Sequence, residues 1–167
     1  MKVKKKILLF GLFILIVTGL GVSGIILLKP NSPIPKDISS QLKFSPFLAS
    51  GDAKVLGAVS DVSYSASSEV LAYNLNYDGV KMVVSQQPTP ESFTDVPQVY
   101  DELLKKLNSQ ESFEVSIGKV SITLPTELKG GQTAVMNSKG VLMFVKPDKN
   151  LTRDQWRDFF SKLKLQN

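Results

Sequence analysis

Two Ser-x-x-Lys spacings, Ser40-Gln41-Leu42-Lys43 and Ser116-Ile117-Gly118-Lys119, are the nearest this chain comes to a catalytic motif. Such a spacing serves acyl transfer when the serine opens a helix and S-D-N and K-T-G segments complete the site. Neither companion segment occurs among the 167 residues, and Ser116 falls on a predicted hairpin. There is no histidine, which removes the Ser-His-Asp triad, and no cysteine, which removes the Cys-His pair and the zinc sites built on either residue.

The carboxylates Asp52, Asp61, Glu69, Asp78, Glu91, Asp95, Asp101, Glu102, Glu111, Glu114 and Glu127 are scattered, whereas glycoside hydrolysis needs two of them facing one another across a cleft. Asp78 suits a turn, Asp95 a helix cap, and Asp101 with Glu102 the wet side of a helix. Neither an Asp-rich calcium loop nor the G-x-x-x-x-G-K-S/T or G-x-G-x-x-G phosphate patterns are present. Asn150-Leu151-Thr152 has the form of a glycosylation acceptor and equally of a helix-capping turn. The expectation is a chain without enzymatic activity, cofactor or metal.

Binding offers two candidates. Trp156, Phe159 and Phe160 form an aromatic stripe at helical spacing; such a stripe is more often core, with Trp156 and Phe160 the residues to contact an apolar ligand if it is not. Gln86 and Gln87, followed by Pro88 and Pro90, have no obvious structural task and suggest a partner-binding surface loop.

The chain begins with Lys2, Lys4, Lys5 and Lys6 and continues from Ile7 to Leu28 without a charged residue. A run of this length matches the roughly 20 apolar residues that cross a bilayer as a helix, and lysines before it hold that end in the cytoplasm. A cleaved secretory signal has a shorter apolar core and an A-x-A-like site, which is missing here; the nearest candidate, Val22-Ser23-Gly24, would leave Ile25 to Leu28 at a new terminus. A lipid-modified anchor is excluded because it requires a cysteine. The expected organisation is a cytoplasmic stub at 1–6, a single membrane helix at 7–28, a Pro-rich spacer at 29–36 and one extracytoplasmic domain at 37–167. Five of the twenty basic residues belong to the stub or to Lys29, so the exported part balances fifteen basic against fifteen acidic residues. The overall charge of +5 is therefore an orientation signal and not a nucleic-acid footprint.

Within the exported part, Asp37 to Phe47 can open a short helix and continue as an arm that tucks Phe44, Phe47 and Leu48 onto the domain, closing at Gly51-Asp52. Leu71, Tyr73, Leu75 and Tyr77 alternate with Ala72, Asn74 and Asn76, as a half-buried strand requires; Asp78-Gly79 then turns the chain into Val80 to Ser85. The prolines after Gln87 end that strand. A helix follows over 96–107, with Val96, Val99, Tyr100, Leu103, Leu104 and Leu107 on one face, Asp95 as cap and Asn108 at its end. A hairpin around Gly118-Lys119 pairs Phe113 to Ile117 with Val120 to Leu124. Another around Ser138-Lys139-Gly140 pairs Thr133 to Asn137 with Val141 to Lys146. A last helix starts from a Thr152/Gln155 capping box. The fold class is α+β: an antiparallel sheet of six or seven strands with two amphipathic helices packed on one face, preceded by the membrane helix.

The lysine-led anchor, the Pro-rich spacer, Phe44-Ser45-Pro46-Phe47-Leu48, the Tyr77-Asp78-Gly79 hairpin, Ser85-Gln86-Gln87-Pro88 and the closing Trp156 helix together resemble small uncharacterised signal-anchored envelope proteins of bacteria. That resemblance implies a single-pass cell-membrane location and brings no catalytic residue with it. The sheet with packed helices is also similar in architecture to lipoprotein-carrier-like and sigma-regulator extracytoplasmic domains, and architecture does not imply function. Two functions follow as expectations. One is a membrane-tethered interaction module for another envelope protein, with a filled core. The other is a carrier or sensor for an apolar ligand such as a lipid or lipoprotein, with a cavity lined by Leu75, Val84, Leu103, Trp156 and Phe160.

Overall fold

The computed structural model describes residues 33–49, 59–123 and 131–166. The predicted stub, membrane helix, first part of the spacer, Gly51-Asp52 turn and hairpin end at Leu124-Pro125 lie outside the described residues. Among those described, the elements in chain order are α1 (Lys36–Ser39), β1 (Phe47–Ala49), β2 (Ser60–Ser65), β3 (Val70–Tyr77), β4 (Val80–Pro88), α2 (Glu91–Asp95), α3 (Pro97–Lys106), β5 (Ser109–Val115), β6 (Gly118–Thr123), β7 (Thr133–Ser138), β8 (Val141–Pro147), α4 (Arg153–Ser161) and β9 (Leu163–Leu165). No helix among these residues is long and apolar enough to cross a membrane.

The period-two segments pair as expected. β3 and β4 form a hairpin from Leu71↔Gln86 to Tyr77↔Val80, and its two turn residues, Asp78 (φ 50°) and Gly79 (φ 76°), both take the left-handed backbone of a tight primed turn. Lys139 and Gly140 do the same between β7 and β8. The hairpin between β5 and β6 differs from expectation. Val115 pairs with Gly118, so the turn is Ser116-Ile117 and Gly118 already belongs to the strand.

Seven strands form one antiparallel sheet in the order β2-β3-β4-β8-β7-β6-β5, and β1 with β9 forms a separate two-stranded ribbon. The fold is thus α+β, as the periodicities require. Since neighbours alternate in direction, β4 and β5 run the same way with three strands between them. The chain crosses that distance through α2 and α3. These are two helices, where one was expected, because Pro97 disfavours helical backbone at the residue before it: Val96 sits at φ −137°, ψ 85° and serves as the N-cap. Asp95 consequently ends α2 and does not cap α3.

The helices pack on opposite faces, which corrects the expectation of one. On β7 and β8 the alternate residues Ala134, Met136, Met143 and Val145 join the large core with Trp156, Phe159 and Phe160 of α4, while Val135 and Leu142 join a small cluster with Phe93 and Leu103 of α2 and α3. The large core also holds Phe47, Leu48 and Leu163 of the ribbon. α4 begins with the predicted capping box, in which the Gln155 amide donates to Thr152 Oγ1 and Gln155 Oε1 accepts from the Thr152 amide. Asn108 ends α3 with a left-handed φ of 54° and its amide donating to Lys105 O.

Candidate functional site

Several of the residues weighed for chemistry are engaged in structural contacts. Ser40 Oγ donates to Asp37 O at 3.1 Å, and Lys43 Nζ pairs with Glu69 at 2.6 Å, which holds the ammonium above its usual pKa. Glu111 binds Arg153 at 3.0 Å, Asp61 accepts from Asn74 at 2.6 Å, and Asp158 accepts from Tyr77 at 2.7 Å and pairs with Lys162. No group of three metal-ligating side chains occurs among the described residues.

Gln86 is not in a loop. β4 continues through Gln86 and Gln87 to Pro88, which pairs with Val141. Beyond Gln86 the strand has β8 but no longer β3 beside it, so the missing amide hydrogen of Pro88 breaks no ladder. The Gln86 side chain, 1% exposed, faces the large core and pairs with the backbone of Phe47: Oε1 accepts from Phe47 N at 2.7 Å and Nε2 donates to Phe47 O at 2.7 Å. Tyr73 Oη donates to the same carbonyl at 2.9 Å. Gln86 therefore acts as one further peptide unit alongside β1, satisfying the Phe47 groups that a buried strand edge would otherwise leave unpaired. Burial pushes the Tyr73 phenol well above its ordinary pKa, and the contact with Gln86 opposes that rise. Gln87, Pro88 and Pro90 are half-buried at the end of the strand, beside Thr89, whose hydroxyl donates to Asn137 Oδ1 at 2.6 Å.

Trp156 and Phe160 lie in the core at 1% and 0% exposure, with ring centroids 6.0 Å apart, and both pack against Phe159. The Trp156 indole donates to Gln132 Oε1 at 3.1 Å; the same oxygen accepts from Leu151 N at 2.7 Å, so one amide ties the start of β7 to the approach of α4. The five residues expected to line one cavity fall on both sides of the sheet. Leu75, Val84, Trp156 and Phe160 are in the large core, and Leu103 is in the small cluster behind it.

A cleft of about 270 Å³ lies where the N-terminal arm meets the ribbon. Its apolar lining is Ile34, Leu42, Phe44, Pro46 and Leu48, and Ser39, Ser45 and Gln166 supply the polar part. The ribbon that forms its floor is fixed by Leu48↔Lys164 and by Gln166 N donating to Pro46 O at 2.9 Å. β9 had no signal of its own in the sequence, because Leu163 continues the stripe of Trp156, Phe159 and Phe160 at helical spacing. The arm was foreseen, and Phe47 and Leu48 are buried as expected.

The crossover face is covered unevenly. Val83, on an interior strand, remains 37% exposed, between Asn74 of β3 and Lys146 of β8. The small cluster instead centres on β7 and β8. No protein-family model, curated protein or solved structure matches this chain.

Proposed function

We propose that the chain is a membrane-anchored extracytoplasmic interaction module, with residues 1–6 in the cytoplasm, 7–28 crossing the bilayer and the α+β domain outside. The observation that carries this reading is the fastening of the arm. Ile34, six residues after Leu28, is 4% exposed and Phe47 is fully buried, so the domain is already fastened at Ile34. Even fully extended, six residues span at most about 22 Å. Such a short connection holds the domain against the membrane surface and raises its effective concentration for other membrane proteins. The close packing of Trp156 and Phe160 favours a module with a filled core over a carrier with an internal ligand. Membership of the signal-anchored envelope proteins it resembles is part of the same proposal.

The absence of native cysteine makes the test direct. In intact spheroplasts, a membrane-impermeant maleimide should label Asp101→Cys on the exposed side of α3, and should label Lys4→Cys only after detergent. The opposite pattern would invert the proposed topology, and labelling of both would remove the anchor. For the interaction itself, a photoreactive residue at Gln87 should give one discrete protein adduct in the membrane, with none from Lys149. Absence of an adduct at Gln87 would exclude the end of β4 as the contact.

A further inference from the structure

We infer that the open half of the crossover face binds a second copy of this chain anchored in the same membrane, about a two-fold axis that runs along the strands between β3 and β4. The inference adds a partner to the proposed interaction module and rests on residues 7–28 spanning the bilayer. The crossover leaves this half bare because it runs diagonally. It departs from the end of β4 and returns at the start of β5, at the opposite end of the sheet. What stays uncovered is the β2–β3–β4 side and the Lys146 end of β8, where Val83 is exposed on an interior strand.

One cross-strand row of this face is self-complementary. Asn74 of β3 pairs with Val83 of β4, and Val83 with Lys146 of β8. At the other end of the row Asn74 Nδ2 donates to Asp61 Oδ2 at 2.6 Å, which holds that carboxylate on the β2 side. Neither Asp61 nor Lys146 has an ion-pair partner among the described residues. Strands spaced about 4.8 Å apart put β2 and β8 about 14 Å from each other, too far for these charges to meet within one chain. A two-fold axis along the strands reverses their order and keeps each row in place. Asp61 of each copy then meets Lys146 of the other, with Asn74 and Val83 between them. Lys81, one row nearer the Asp78-Gly79 turn, has the Asp148 carboxylate accepting from its own amide, so that row adds no net charge.

The tether selects the same axis. The arm is fastened where β3 begins and β4 ends, through Lys43 to Glu69 and through Phe47 to Gln86. An axis along the strands keeps both arms at that end of the sheet, so both spans enter one bilayer, and confinement there raises the effective concentration for so small a contact. An axis across the strands would send the arms to opposite ends and set Asp61 against Asp61.

Val83→Cys in the full chain, reconstituted in vesicles and treated with a short bismaleimide, should give a covalent dimer, while Asp101→Cys on the exposed side of α3 should not. In the Val83→Cys background, Asp61→Lys and Lys146→Asp should each lower the dimer yield at least about fivefold, because each sets like charges against one another. Mixing the two variants should restore the yield, since each then meets its complement. Asp61 has φ 52°, a backbone this chain also gives to Lys139 at φ 50°, so the lysine suits the fold; should Asp61→Lys still not fold, Lys146→Asp decides alone. Equal yields from Val83→Cys and Asp101→Cys would mean random collision and would overturn the pairing, as would yields indifferent to either charge reversal. No dimer, with the maleimide topology pattern as expected, would overturn the second copy and leave the anchored module standing. Failure of the topology pattern would remove the anchor and the pairing together.

Discussion

The two faces of the sheet are built from the same strands and carry different loads. On one, α4 and the β1–β9 ribbon close over a continuous core that contains Trp156, Phe159, Phe160, Tyr73 and Phe47, all essentially without exposure. On the other, the fully buried residues under α2 and α3 are, among those described, Phe93, Leu103, Val135 and Leu142, and Val83 of an interior strand is left 37% exposed. The difference shows in the alternation of β3: Leu71, Tyr73, Leu75 and Tyr77 point to the first face, and Val70, Ala72, Asn74 and Asn76 to the second. Hydrophobic stabilisation scales with apolar area removed from water, so the first face contributes most of it. The second is where the fold has surface to spare.

Phe160→Ala tests this division with the largest expected effect. A fully buried phenylalanine lost from a packed core costs about 4 kcal/mol, counting transfer and the cavity left behind. Denaturant unfolding should show the midpoint falling without a change in slope; a variant as stable as the parent would mean that Phe160 lines space already open to a ligand.

Next comes Gln86→Ala, expected to cost about 3 kcal/mol because the buried Phe47 amide loses its acceptor and its carbonyl loses one of two donors. Gln87→Ala, one residue further along and half-buried, should change stability by less than about 0.5 kcal/mol, because its side chain takes no part in the contacts to Phe47. Equal losses at the two positions, read by the same unfolding curves, would contradict the assignment of Gln86 as the clasp of the arm.

The contrast between these adjacent glutamines marks how far the sequence is legible. Strand and helix periods need only local information, which is why the β3–β4 hairpin and the Thr152 capping box could be read directly. Gln86 could not, because its partner is the backbone of a residue 39 positions away and polarity alone suggested a surface. The turn between β5 and β6 was misplaced for a related reason. Gly118 has the composition of a turn, yet the chain reverses two residues earlier, at Ser116-Ile117, with Ile117 buried. The cleft has no local signal at all, since Ile34 and Gln166 come from opposite ends of the domain and meet only when the ribbon forms.

On the lighter face, Leu103→Ala should cost about 2 kcal/mol, the lower end of the range for a buried leucine, because the small cluster can relax into the cavity. If unfolding showed a loss equal to that of Phe160→Ala, the two faces would be equally important to stability and the comparison would fail.

The smallest expected effect concerns how α4 is held to the end of β3. The Asp158 carboxyl is kept below its ordinary pKa by Lys162 first and by the Tyr77 hydroxyl second, with desolvation acting the other way. Lys162 also lies 5.7 Å from the centre of the Tyr77 ring. Because the folded-state pKa is depressed, the stabilisation is present above the unfolded value and is lost as pH falls through the folded one. The Asp158 side chain is 50% exposed, so water screens the pair and its worth is below about 1 kcal/mol. The stability difference between the parent and Asp158→Asn should therefore be small and positive at neutral pH, shrink with added salt, and vanish on acidification below the usual carboxylate range. A difference that persists unchanged into acid would assign the contact to the neutral hydrogen bond from Tyr77. In that case packing and a neutral hydrogen bond, without charge, would fasten α4 to the heavier face.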